Sequence, residues 1–175
     1  MRVLSEISGL LGIDELDSVI QILKENDGEV SAIYHSMNEE DMKKIIKNPY
    51  VMIGTDGIVK GYNQKSHPRA FGAFTKAIKF FCIDNKVIPL ESLIRKMTGF
   101  AADSFKLNKK GYIKNGYDAD LVLIDLKNLK DNSSYQNPHL LSNGINSVII
   151  NGEEVFNKGE ILKKDAGKLL RYNGQ

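Results

Sequence analysis

The sequence is poor in the residues that build most recognisable sites. Its 175 residues include one cysteine (Cys82), no tryptophan, four prolines and three histidines. A single thiol excludes an internal disulfide and any Cys-rich zinc site. His35, His67 and His139 are far apart, none within four residues of another, so zinc-ligand spacing is absent. Lys+Arg 24 against Asp+Glu 22 leaves a net charge of +2, too little to imply a nucleic-acid or membrane partner. No run approaches the roughly 20 apolar residues of a membrane span. Glu6, Asp14, Glu15 and Asp17 interrupt the N-terminal stretch, which therefore does not read as a signal peptide, and a cytoplasmic location is expected. GxGxxG, GxxxxGK[ST] and GxSxG are all missing, so neither a phosphate loop nor a nucleophile elbow is supported.

What remains suits one soluble domain or two small ones, with 42% hydrophobic residues and enough length to bury a core without staples. The pattern changes near Gly111, which predicts a division into residues 1–110 and 111–175. In the first part Asp14 opens a helix carrying Leu16, Val19, Ile20 and Leu23 at helical spacing, and Asp14 with Asp17 resembles a capping box. Val30 to Tyr34 reads as a short buried strand. Asn38 caps a second helix whose first turn holds Glu39, Glu40 and Asp41, where negative charge suits the dipole. Tyr50 to Gly54 reads as another strand. The order helix, strand, helix, strand, with short connections, argues for a parallel βα arrangement. A polar loop follows over 57–68, then an apolar helix over 70–83 and a further helix beginning at Pro89. In the second part Asn115-Gly116 and Asn151-Gly152 are the strongest hairpin signals, because both turn residues need positive φ. Residues 111–165 therefore read as a small antiparallel β unit, with a long connection over 126–146.

Candidate chemistry is sparse. Cys82 sits between Phe81 and Ile83 and reads as a core thiol. The lysines at 106–110 and 163–168 read as solvated faces. Asp56, in Gly54-Thr55-Asp56-Gly57, admits two readings. It is the Asp-Gly turn of a hairpin, or a carboxylate just past a parallel strand, where α/β barrels place catalytic groups. Arg69 ends a loop at the start of an apolar helix. It is an ordinary surface arginine or a bidentate partner for a carboxylate. His67 suits loop packing better than metal ligation, and His35 has no partner at ligand spacing.

Taken together, several blocks resemble N-acyl-D-amino-acid deacylases (D-aminoacylases) of the amidohydrolase superfamily. They are Met37-Asn38-Glu39-Glu40-Asp41, Met52-Ile53-Gly54-Thr55-Asp56-Gly57 and His67-Pro68-Arg69-Ala70-Phe71-Gly72-Ala73-Phe74. Further along come Ile94-Arg95-Lys96-Met97-Thr98, Gly111-Tyr112-Ile113-Lys114-Asn115-Gly116-Tyr117-Asp118-Ala119-Asp120-Leu121, Asn137-Pro138-His139 and Val148-Ile149-Ile150-Asn151-Gly152. The Gly-x-x-Ala-Asp-Leu block marks the superfamily, and the His-Pro-Arg block points to the D-aminoacylase branch. The resemblance covers nearly all of residues 14–170.

It implies an α/β fold: the C-terminal portion of a (β/α)8 barrel plus the C-terminal share of a small β-sandwich. It implies zinc-assisted hydrolysis of an N-acyl-D-amino acid to the D-amino acid and a carboxylate. Asp56 is then the catalytic proton carrier, next to the family's metal site. Arg69 holds the substrate's α-carboxylate, with His67, Tyr34 and Met37 as further substrate-binding residues. The family's metal ligands lie in portions this chain does not contain. The expectation is therefore a fragment that is inactive alone. Its partner would be the missing N-terminal barrel portion or another copy of the chain. Two alternatives stand beside it: a non-catalytic oligomerising module, and a fragment of a dihydroorotase- or hydantoinase-like cyclic amidohydrolase.

Overall fold

The computed structural model describes residues 2–30, 32–34, 36–58 and 66–170. The chain forms two compact units, Met1–Asn38 and Glu39–Gln175. No described helix is long and apolar enough to cross a membrane.

The first unit is a helix pair, α1 (Leu4–Leu11) and α2 (Glu15–Glu25). Gly12 ends α1 in the left-handed region, at φ 69°, where a side chain would be strained. Asp14 then caps α2, its carboxylate accepting the Asp17 N–H at 2.8 Å. That cap is as predicted. α1 has no strong start signal in the sequence, since Val3 precedes it and offers no capping oxygen. The described residues of the predicted strand Val30–Tyr34 carry no strand pairing.

The second unit runs α3 (Glu39–Lys47), α4 (Arg69–Ala77), α5 (Leu90–Met97), α6 (Gly99–Ser104), and then four strands. These are β1 (Leu121–Ile124), β2 (Ile145–Ile150), β3 (Glu153–Asn157) and β4 (Glu160–Ile161). They form one antiparallel sheet in the order β1-β2-β3-β4. The Asn151-Gly152 turn joins β2 to β3 with φ values of 51° and 82°. Both residues are left-handed, as a two-residue turn matched to strand twist requires. Lys158-Gly159 makes a second such turn into β4, at φ 44° and 101°. The 126–146 connection is long, as expected, and is tied across itself by the Lys130–Asn143 bridge.

The core of this unit is helical. Ile46, Ala77, Ile78, Leu93 and Leu129 are buried together, with Val51, Ile53 and Phe81 packed against them. Two sequence expectations change here. The apolar helix over 70–83 is α only as far as Ala77, and Ile78–Asp84 is π-helical. The run Tyr50–Gly54 packs Val51 and Ile53, partly buried, against that core and leaves Tyr50 exposed, but it is not a strand. A strand exists only by pairing, and no described neighbour offers this run a ladder. Instead Lys96 Nζ donates to the Asn48 carbonyl at 2.5 Å and the Val51 carbonyl at 2.9 Å. Lys96 is only 6% exposed, so these carbonyls are the compensation for burying its charge. That burial, with Arg95 next to it, pulls the ammonium below the usual lysine range. Tyr112 and Ile113 likewise form no strand; the first hairpin signal, Asn115-Gly116, lies in a turn ahead of β1.

Candidate functional site

Asp56, Arg69 and His67 come together at the N-terminus of α4. The Arg69 guanidinium grips residue 56 twice. Nη2 lies 3.0 Å from Asp56 Oδ2, and Nε donates to the Asp56 carbonyl at 2.8 Å. Two of the five guanidinium N–H groups are thus spent on one residue. Asp56 itself takes a positive φ of 43°, and its side chain is 92% exposed. The turn is held close against α4, because a Cβ on Gly57 would sit 2.7 Å from Ala70 Cα. Thr55 Oγ1 accepts the Gly57 N–H at 3.3 Å. The described residues flanking Asp56-Gly57 pair with no strand, so the two-stranded hairpin reading has no support there.

His67 joins the site through its ring. Its Nδ1 accepts the Arg69 backbone N–H at 3.1 Å, which caps the first turn of α4. Its Nε2 lies 3.1 Å from the Tyr135 hydroxyl, and the two rings meet edge to face at 5.1 Å. Burial, then Arg69 and Lys76, push its pKa below the ordinary 6.5, with Asp56 opposing them. Tyr135 belongs to the long connection and had no signal in the sequence, since it stands in a Ser/Asn-rich stretch that reads as surface loop. That connection is pinned to the start of α4. Ser133 Oγ lies 3.0 Å from the Pro68 carbonyl and 2.7 Å from Asp131 Oδ1, and the same carboxylate oxygen accepts the Ser133 N–H at 3.0 Å.

Next to Arg69 lies an apolar cavity of about 440 Å³ between α4 and the sheet. Phe71, Phe74, Val122, Val148 and Phe156 line it, with Lys163 at its margin. Tyr34 and Met37, the two other expected pocket residues, belong to the first unit and are largely exposed within the chain, at 83% and 71%. His35 lies outside the described residues.

The described side chains do not make a metal site by themselves. No three His, Cys, Asp or Glu side chains converge among the described residues, where a zinc site needs three or four. One Asp56 oxygen faces a guanidinium, and both His67 ring nitrogens are engaged. His139 is packed edge to face on Phe71 at 5.2 Å. Cys82 lies in the π-helical segment, where burial raises its thiol pKa and leaves it poorly suited to ligation.

The chain is 33% identical over 169 residues to the N-acyl-D-aspartate deacylase of Alcaligenes xylosoxydans xylosoxydans, spanning 97% of this chain and 32% of that protein. A crystal structure of D-aminoacylase superposes with a TM-score of 0.82 at 32% identity, over 97% of this chain and 34% of that one. The N-acyl-D-glutamate deacylase of Bordetella bronchiseptica, solved with zinc and a phosphonate mimic of the tetrahedral intermediate, gives 0.77 at 29% identity, over 93% and 34%. The chain thus spans about a third of the length of these relatives. The mixed helix and strand fold of this chain matches a third of the D-aminoacylase chain. The model of the amidohydrolase family matches residues 20–155, and the chain belongs to that family.

Proposed function

We propose that this chain is the C-terminal part of a metal-dependent hydrolase that cleaves N-acyl-D-amino acids to the D-amino acid and a carboxylate. In this reading residues 1–110 are the last portion of a (β/α)8 barrel and 111–175 are its share of a β-sandwich. The observation that carries the proposal is the Asp56–Arg69 pair, a carboxylate and a guanidinium 3.0 Å apart at the head of one helix. Two charges of opposite sign side by side suit a substrate that has both a carboxylate and an amide to hydrolyse.

Arg69 holds the α-carboxylate, using the N–H groups not spent on residue 56. This fixes the substrate at one end, as selection of the D configuration requires. Asp56, exposed and fixed by its turn, takes a proton from the attacking water. As the C–N bond breaks it returns that proton to the departing amine nitrogen. Zinc, when bound in the complete protein, would supply Lewis-acid activation of the water. No three ligands for it converge among the described residues, so in this reading the chain by itself is not a competent deacylase. The missing barrel portion, or a second copy, completes it.

The test begins with the DNA upstream of the Met1 codon. The longer product it encodes is assayed on matched N-acyl-D- and N-acyl-L-amino acids with added zinc. Turnover of the D series alone, abolished by Asp56→Asn, is expected. Preference for the L series, or for cyclic amides, overturns the assignment. If the upstream DNA is unrelated, the function is confined to ancestry.

A further inference from the structure

The Arg69 backbone N–H fixes the protonation state of its neighbour. An amide N–H can only donate, so His67 Nδ1, 3.1 Å away, must be an unprotonated acceptor. A neutral imidazole then has its single proton on Nε2. That proton points at Tyr135, whose hydroxyl oxygen, 3.1 Å away, is therefore an acceptor in this pair. The edge-to-face contact of the two rings, at 82°, holds the same orientation.

We propose that Tyr135 is a positioning residue: it holds His67 as the Nε2–H tautomer, so that Nδ1 caps α4 and sets Arg69 against Asp56. The proposal rests on the reading of Asp56 and Arg69 as the site. The strap that delivers Tyr135 is anchored independently. Ser133 reaches the Pro68 carbonyl, one residue from His67, and Asp131 braces Ser133. Gly72 makes room for that brace, since a Cβ there would lie 2.1 Å from Asp131 Oδ1. The chain therefore links residue 135 to residue 56 through three adjacent contacts: Tyr135 to His67, His67 to Arg69, and Arg69 to Asp56.

Protonation breaks the arrangement at a known atom. A second proton on His67 would occupy Nδ1 and face the Arg69 N–H, donor against donor. The charged groups around the ring are Arg69 and Lys76, which oppose protonation, and Asp56, which favours it. Because burial and the two cations lower the folded pKa, the unfolded chain binds more protons near pH 6. The stabilisation is complete above the ordinary value of 6.5 and is lost as pH falls from there through the lower folded pKa.

The measurement is long-range ¹⁵N correlation NMR of the three histidine rings, with His67 assigned by comparison with His67→Asn. At pH 7.5 the wild-type chain should show His67 neutral with the proton on Nε2 alone. Tyr135→Phe keeps the ring but removes the acceptor. It should give a mixture of tautomers and about fivefold faster exchange of the Arg69 amide, the factor expected for one neutral hydrogen bond. A wild-type proton on Nδ1 overturns the proposal without any variant. So does a Tyr135→Phe chain with unchanged tautomer and exchange. Should Tyr135→Phe fail to fold, Ser133→Ala loosens the strap and should shift the same two signals in the same direction, and its failure to move either counts against the proposal. None of these readouts uses turnover, so a failed deacylase assay leaves them intact. If the deacylase holds, Tyr135→Phe should raise KM for the D substrate more than it lowers kcat.

Discussion

At the residue scale the site is set by small clearances. Gly57 and Gly72 each occupy a place where a methyl group has no room. At Gly72 the added Cβ would meet Asp131 Oδ1 at 2.1 Å and Ser133 Oγ at 2.5 Å. Either the carboxylate moves or α4 does, and both moves break the strap that delivers Tyr135. Gly72→Ala should therefore destabilise the chain by about 1–3 kcal/mol, as overpacking typically does, despite the better helix propensity of alanine. Urea unfolding followed by circular dichroism reads this directly. A stabilised variant would mean that the strap is not held as described. The residues that make this site were unequally legible. Asp56, His67 and Arg69 stood in blocks with a recognisable pattern. Tyr135 lies 68 residues from its partner, and nothing in its own surroundings records the pairing. Hydrogen bonds between distant loops leave no local periodicity, so pattern reading could not find it.

At the element scale legibility followed the strength of the local chemistry. Asp14 ahead of an amphipathic run gave α2 its start, because a side-chain carboxylate can satisfy an orphan N–H from within four residues. Asn151-Gly152 gave the β2–β3 hairpin, since both residues tolerate the φ values found there. Lys158-Gly159 makes a similar turn with a weaker signal, because only its glycine is suited to it. The Tyr50–Gly54 run failed as a strand for the opposite reason: apolar composition records burial, while strand state depends on a neighbour elsewhere in the fold. The π-helical register of Ile78–Asp84 has no marker in the sequence and no evident cause in its contacts. The turn chemistry gives the second prediction. Gly152→Ala forces a Cβ into φ 82° with nothing else in its way, so strain alone should cost about 1–2 kcal/mol. Lys158→Ala, in the second turn, should cost less than this, since φ 44° lies near the left-handed well that L residues visit. Thermal melts of the two variants should rank in that order, and the reverse ranking would place the strain at the wrong residue.

At the scale of the whole molecule, the sheet ends in edges that the described residues leave open. In the order β1-β2-β3-β4, β1 is an edge strand of four consecutive apolar residues. Val122 and Leu123 point to opposite faces, yet both are about half exposed, at 52% and 51%. Ile161 on the opposite edge is 60% exposed. Such edges present unpaired N–H and C=O groups beside apolar surface, and natural chains usually blunt them with charge or proline. β1 has neither within Leu121–Ile124. The relatives, three times longer, have further chain with which to cover such a surface. The chain on its own should therefore self-associate, with a light-scattering mass that rises with concentration. Leu123→Lys should return it toward the 19.6 kDa monomer by placing a charge on the edge, without removing a core contact. A wild-type chain that stays monomeric at all concentrations would mean that β1 is covered from within. A Leu123→Lys chain that still associates would move the contact to another surface, with the β4 edge at Ile161 the next to alter.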